Sequence, residues 1–160
     1  MAGAGVDLIS IETMYDLREA VAAVEAARET GLPVMACMTF DAKKRGFFTM
    51  VGDRLVPALG ALRDAGAHAV GCNCSVQPEQ MLAMVDEAVA AVDTPLVVQP
   101  NAGQPRPTTE GIVYDAEPAP FARDLAEMVR RGARVVGGCC GSTPEFIRAA
   151  RQAIDELGAP

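Results

Sequence analysis

The sequence has no tryptophan, a single histidine and only 4% aromatic residues in all. It therefore lacks the rows of rings on which unpaired bases stack. Basic side chains are also in deficit, with 14 Lys and Arg against 21 Asp and Glu, a formal charge of −7. A surface of that sign repels a phosphate backbone, so no nucleic acid is expected as a partner. No apolar run reaches the length of a membrane span. The N-terminus lacks the basic flank and long apolar core of a secretory signal, which sets the expectation of a cytoplasmic protein with no membrane partner. Two motifs are missing as well. No glycine-rich dinucleotide fingerprint follows the first strand-like run, and no cysteines stand in the close pairs of zinc fingers or knuckles.

What is present is 160 residues, half of them apolar, enough for one domain with a real core. Five cysteines, Cys37, Cys72, Cys74, Cys139 and Cys140, make an odd number in a chain with no secretory signal. That count favours metal or catalytic chemistry over a disulfide framework. Their densest setting is VVGGCCGSTPEFI, from Val135 to Ile147. Here two adjacent thiols follow a β-branched run and precede a helix start. Gly137, Gly138 and Gly141 are expected to supply the positive φ angles that turn both sulfurs to one side.

Taken in order, β-like runs alternate with amphipathic stretches. Strands are expected at residues 7–11, 33–39, 69–73, 94–99 and 134–136, and helices at 16–29, 55–65, 77–91, 121–130 and 144–156. Met81 and Met84 keep helical spacing and are assigned to the core. The Pro- and Gly-rich stretch PNAGQPRPTTEGIVYDAEP, residues 100–118, is the longest loop, and a loop of that length usually rims a site. The alternation gives an α/β fold built on a parallel sheet, either doubly wound or part of a (β/α) barrel. Polar or cysteine-bearing clusters close every strand at its carboxyl end: Glu12, Thr39 with Asp41, Asn73 with Cys74, Asn101, and Cys139 with Cys140. Barrels gather those ends on one face. The expected architecture is therefore a partial (β/α)8 TIM-type barrel, a single domain over residues 1–160 with five consecutive β/α units. Five strands alone do not close it.

A third thiol on that face would complete a site for catalytic zinc, which keeps one position open. Cys72 and Cys74 share strand parity, so either can be the inward one. Cys74 is preferred because it stands at the strand's end. Buried structural thiols are the competing explanation.

The pieces DLISIET (7–13), MTFD (38–41), GCNCS (71–75), VVQPNAGQP (97–105) and GGCCGSTPE (137–145) resemble the homocysteine S-methyltransferase family, the zinc-dependent module shared by cobalamin-dependent methionine synthase and betaine-homocysteine methyltransferase. The resemblance implies that Cys74, Cys139 and Cys140 are zinc ligands. It implies that Glu12 helps hold the amino group of the amino-acid thiol and that Asn73 and Asn101 are polar positions of the substrate pocket. It further implies methyl transfer to homocysteine, from a donor that in some members is a corrinoid carried by another protein. Thr143 is expected as an N-cap with Pro144 at the first helical position, which brings the helix's positive end near the sulfurs.

Complete members carry three further strand-helix units upstream, so this chain corresponds to the C-terminal five-eighths of the barrel. A partner chain supplying the missing part, a second copy of this chain, or truncation would each account for that. Phe47, Phe48 and Met50 in RGFFTMVG (45–52) suit an apolar lid or a docking surface for a corrinoid protein, or simply pack the loop down. His68, Cys37 and Cys72 are assigned structural roles. Two functional classes stay open: an enzyme that methylates a zinc-bound thiol, and a non-catalytic, accessory zinc-binding half-barrel.

Overall fold

The computed structural model describes residues 2–74, 78–109 and 111–158. In chain order the elements are β1 (Ile9–Met14), α1 (Leu17–Arg28), β2 (Val34–Met38), β3 (Asp41–Lys43), β4 (Gly46–Phe48), α2 (Leu55–Ala65), β5 (Ala69–Cys74), α3 (Pro78–Val89), β6 (Leu96–Pro100), β7 (Pro105–Thr108), β8 (Gly111–Tyr114), α4 (Pro118–Arg130), β9 (Val135–Val136) and α5 (Pro144–Asp155). A short 3-10 turn at Ala2–Ala4 precedes them.

Five strands form one parallel sheet in the order β1-β2-β5-β6-β9. Each is followed by a helix, and each helix packs on the next, α1 to α5 in turn. Sequential order with right-handed crossovers sets the helices in a row along one face of the sheet. The pleat sorts the strand residues accordingly. Val34, Ala36, Met38, Val70, Cys72, Leu96 and Val98 enter a core shared with Val24, Leu59, Met84 and Leu125 of the helices. Met35, Cys37, Ala69 and Val97 form a separate small cluster on the opposite face. Burying one such Leu or Met contributes about 1.5–3 kcal/mol, so the helix-side layer dominates the stability.

Local chemistry fixes the boundaries. Asp16 caps α1, its carboxylate accepting from the backbone N–H groups of Arg18 and Glu19. The α2 helix ends at Gly66, in the left-handed conformation at φ 105°. Met81 and Met84 are fully buried, as their spacing requires. The ring nitrogen Nδ1 of His68 accepts from the Val34 N–H at 3.1 Å, which gives this histidine a structural role.

Several boundaries differ from the expectations. The first strand runs to Met14 rather than Ile11, because a register break between Ile11 and Met14 lets the pairing resume beyond Glu12. Glu12 therefore lies within the strand, not after it. The α4 helix begins at Pro118, three residues earlier than expected, since proline is well accommodated in a first turn. Two hairpins, β3–β4 and β7–β8, occupy stretches expected to be irregular. Gln77, expected to open α3, lies outside the described residues. No helix among the described residues is long and apolar enough to cross a membrane.

Candidate metal centre

The polar residues of the open face gather where the strands end. On β5 the pleat sends Cys72 toward the helices, where it is 2% exposed in the main core. Continued alternation would send Cys74 the same way. Instead Cys74 adopts φ 68°. That left-handed turn breaks the strand parity and carries its sulfur to the rim. Shared parity was thus no guide to this residue.

The other two thiols follow β9 on a turn stapled to the end of β6. The Cys139 N–H donates to the Pro100 carbonyl at 2.8 Å, and the Ala102 N–H donates to the Cys140 carbonyl at 2.9 Å. Asn101 holds the same turn through its side chain, Oδ1 accepting from the Cys140 N–H at 3.1 Å. Of the three neighbouring glycines only Gly141 has a positive φ, 79°. Gly138 is required for space, since an added Cβ would lie 2.2 Å from Ser142 Oγ, while Gly137 has room to spare. Thr143 occupies the N-cap position with Pro144 next, although its side chain makes no capping bond.

These supports bring Cys74 Sγ to 3.5 Å from Cys139 Sγ and 3.6 Å from Cys140 Sγ. All three sulfurs lie within 4.8 Å of one another, the one such group of possible metal ligands among the described residues. Tetrahedral zinc with Zn–S bonds of about 2.3 Å needs sulfurs roughly 3.8 Å apart, so the trio fits the ion. The spacing is far longer than the roughly 2.05 Å of a disulfide. Burial, then the neighbouring Cys139 and Cys140 thiols, pushes the Cys74 thiol up to about 12. A dication bound there would favour the ionised Cys74 thiolate instead.

Around the trio lies a polar network. Asn73 is fully buried, and its Nδ2 donates to Cys139 Sγ at 3.7 Å and to Thr13 Oγ1 at 2.8 Å. Glu12 is exposed, with Oε1 accepting from Ser10 Oγ at 2.7 Å and from Gln99 Nε2 at 3.5 Å. The Cys37 thiol donates to Gln99 Oε1 at 3.9 Å from the buried interior of the same face. Tyr114, at the end of β8, reaches the turn from outside. Its ring occupies the space a Gly141 side chain would fill. Burial and the adjacent Cys140 thiol raise its phenol above the ordinary value.

The structure thus brings Cys74, Cys139, Cys140 and Asn73 into direct contact and sets Asn101 behind the turn. Glu12 lies apart from them, bonded to Gln99 on the sheet's open face. Gln99, Thr13 and Tyr114 were missed in the sequence. Gln99 alone carried a signal, as a polar residue at the end of the fourth apolar run.

A parallel α/β sheet with three converging thiols at its carboxyl end defines a β/α protein with a thiol cluster that could hold a metal ion. The chain belongs to the homocysteine S-methyltransferase family, whose sequence profile matches residues 1–154. It is 31% identical to the methionine synthase of Mycobacterium tuberculosis over 167 aligned residues, covering 100% of this chain and 14% of that protein. It is also 31% identical to homocysteine S-methyltransferase 4 of Zea mays, covering 98% of this chain and 46% of that one. Among solved structures it is similar to the homocysteine methyltransferase MmuM of Escherichia coli in its metallated form. The TM-score is 0.72 at 26% identity, over 94% of this chain and 46% of that one. The chain therefore spans about half the length of the single-enzyme relatives and a small part of methionine synthase.

Proposed function

We propose that this chain is the thiol-activating part of an enzyme that transfers a methyl group to homocysteine, giving methionine. The observation that carries the reading is the convergence of Cys74, Cys139 and Cys140, from segments 65 residues apart, on one tetrahedral corner set. A family relative solved in a metallated form supports a metal here. The donor set, three thiolates without histidine or carboxylate, suits zinc. When bound, zinc would lower the pKa of an incoming fourth thiol so that it reacts as a thiolate at neutral pH.

The remaining work falls to this chain's own residues. Asn101 fixes the backbone of Cys140, and Asn73 lies beneath the thiols at the floor of the substrate pocket. Glu12, oriented by Ser10 and Gln99, faces the open side of the sheet and is placed to pair with an amino-acid ammonium group. The methyl donor reaches the activated sulfur from that open side, and a corrinoid carried by another protein suits so wide an approach. Reduced thiols suit the cytoplasm.

The architecture belongs with the proposal. Five β/α units in sequential order form part of a (β/α)8 barrel, with β1 and β9 at its open edges. The other strands come from a further polypeptide segment, a partner chain or a second copy. The alternative is an accessory half-barrel that keeps the metal without a complete pocket. Zinc content followed by homocysteine titration separates the two. One zinc per reduced chain with a homocysteine-dependent change supports the enzyme, and one zinc with no such change leaves only the accessory role. Failure of reduced, zinc-supplied protein to hold the metal refutes both.

A further inference from the structure

Two non-glycine residues have a left-handed backbone among the described residues, Thr13 at φ 59° and Cys74 at φ 68°. For a β-branched threonine that conformation is a genuine outlier and persists only where neighbours hold it. One residue touches the first and immediately precedes the second. The Thr13 N–H donates to Asn73 Oδ1 at 2.8 Å, and Asn73 Nδ2 returns a bond of 2.8 Å to Thr13 Oγ1. The same amide donates to Cys139 Sγ at 3.7 Å. The Thr39 hydroxyl donates to the Asn73 carbonyl at 3.1 Å, and the Thr39 N–H donates to the Met14 carbonyl at 2.9 Å. The ends of β1, β2 and β5 are therefore locked around a fully buried carboxamide.

The amide's orientation is dictated by chemistry. A backbone N–H can only donate, so the group facing Thr13 N must be the oxygen, and the NH2 is left to face the hydroxyl and the sulfur. The site needs one planar group with an acceptor on one side and two donors on the other. Aspartate would supply the acceptor and lose both donors.

We infer that Asn73 is a positioning residue that couples the direction of Glu12 to the state of the Cys139 sulfur. It holds Thr13 in its left-handed turn, and that turn directly follows Glu12 within the register break of β1. It also donates to the Cys139 sulfur, and would draw charge from that sulfur when a metal is held there. Ligand and ammonium-binding carboxylate thus share one support, as outer partners of metal sites commonly do. The inference rests on the metal and thiol reading given under Proposed function.

The test uses the reduced chain loaded with cobalt(II) in place of zinc, with and without homocysteine. In Asn73→Asp, which keeps the acceptor for Thr13 N–H, the sulfur-to-cobalt charge-transfer band moves to lower energy before any homocysteine is added. In Asn73→Ala the homocysteine dissociation constant, read from the same spectrum, rises about ten-fold. Thr13→Gly placed on Asn73→Ala restores several-fold of that loss, because glycine takes the left-handed turn unaided. A merely structural role would move neither the band in Asn73→Asp nor the rescue by Thr13→Gly. An unmoved band or an absent rescue overturns the inference while the wild type still binds cobalt and homocysteine. If Asn73→Ala does not fold, the band of Asn73→Asp decides. A wild type that takes up no cobalt, or shows no response to homocysteine, overturns both this inference and the reading it rests on.

Discussion

Replacing Cys74 with alanine removes the sulfur that stands 3.5 and 3.6 Å from the other two, leaving a pair of sequence neighbours. A structural zinc site contributes roughly 10–16 kcal/mol over four ligands. One sulfur of three therefore carries on the order of 3 kcal/mol, and zinc affinity should fall at least about a hundredfold. The matched control lies two residues away on the same strand. Cys72 points into the helix-side core, and Cys72→Ala leaves a void the size of one atom, a loss of about 1 kcal/mol of stability. Chelator competition on reduced protein measures the metal, and urea unfolding with and without zinc measures the fold. Zinc at a thousand times its dissociation constant adds about 4 kcal/mol to the wild type. Cys72→Ala should keep that increment, and Cys74→Ala should lose it while its metal-free stability barely changes. The reverse pattern would refute the placement of the two thiols on opposite sides of the sheet.

Other consequences are equally direct. An added Cβ on Gly71 would lie 1.8 Å from the Val97 carbonyl oxygen, so Gly71→Ala should cost at least about 2 kcal/mol in chemical denaturation. A change within about 0.5 kcal/mol would contradict that close approach. Burial, then the nearby Cys72, Glu12 and Cys139 charges, holds the Cys37 thiol well above its ordinary 9.0. Because the folded value exceeds the unfolded one, this contribution is complete below 9.0 and is lost as pH rises from there through the folded value. The urea midpoint of metal-free protein should fall on the alkaline side, and Cys37→Ala should flatten part of that fall; identical slopes would sink the assignment. Tyr114→Ala should loosen the β7–β8 hairpin and speed its proteolysis, whereas Tyr114→Phe keeps the ring on Gly141 and should not. Equal cleavage of the two variants would remove the packing role.

The five β/α units were legible because short apolar runs, nearly continuous in the central strands β2, β5 and β6, alternate with stretches of helical periodicity. Cys139 and Cys140 were legible as adjacent thiols on a glycine turn. Cys74 was preferred to Cys72 on position along the strand, and it is the one that lies with Cys139 and Cys140, while the parity argument was silent on a backbone that leaves the strand at φ 68°. The break at Thr13 has no signature in composition, since nothing marks a threonine for a left-handed turn. The β7 strand was hidden by Pro105 and Pro107, which read as loop and are tolerated in a short hairpin edge. Gln99 was passed over because its role depends on facing Glu12 across the sheet, a relation that only the folded register creates.

The last strand has a weak grip of its own. β9 pairs with β6 through two residues, Val97 with Val135 and Val98 with Val136, and among the described residues no strand pairs beyond it. Yet Cys139 and Cys140 follow it, and their third companion sits on β5, with β6 between them. A metal ion held by all three would rivet the final unit to the middle of the sheet over the top of its neighbour. Without it, residues 135–141 should exchange their amide hydrogens through local opening well before the β2, β5 and β6 strands do. Two of the three thiols follow that weakly held strand, so a centre built on all three would form only on a protein in which β9 is docked.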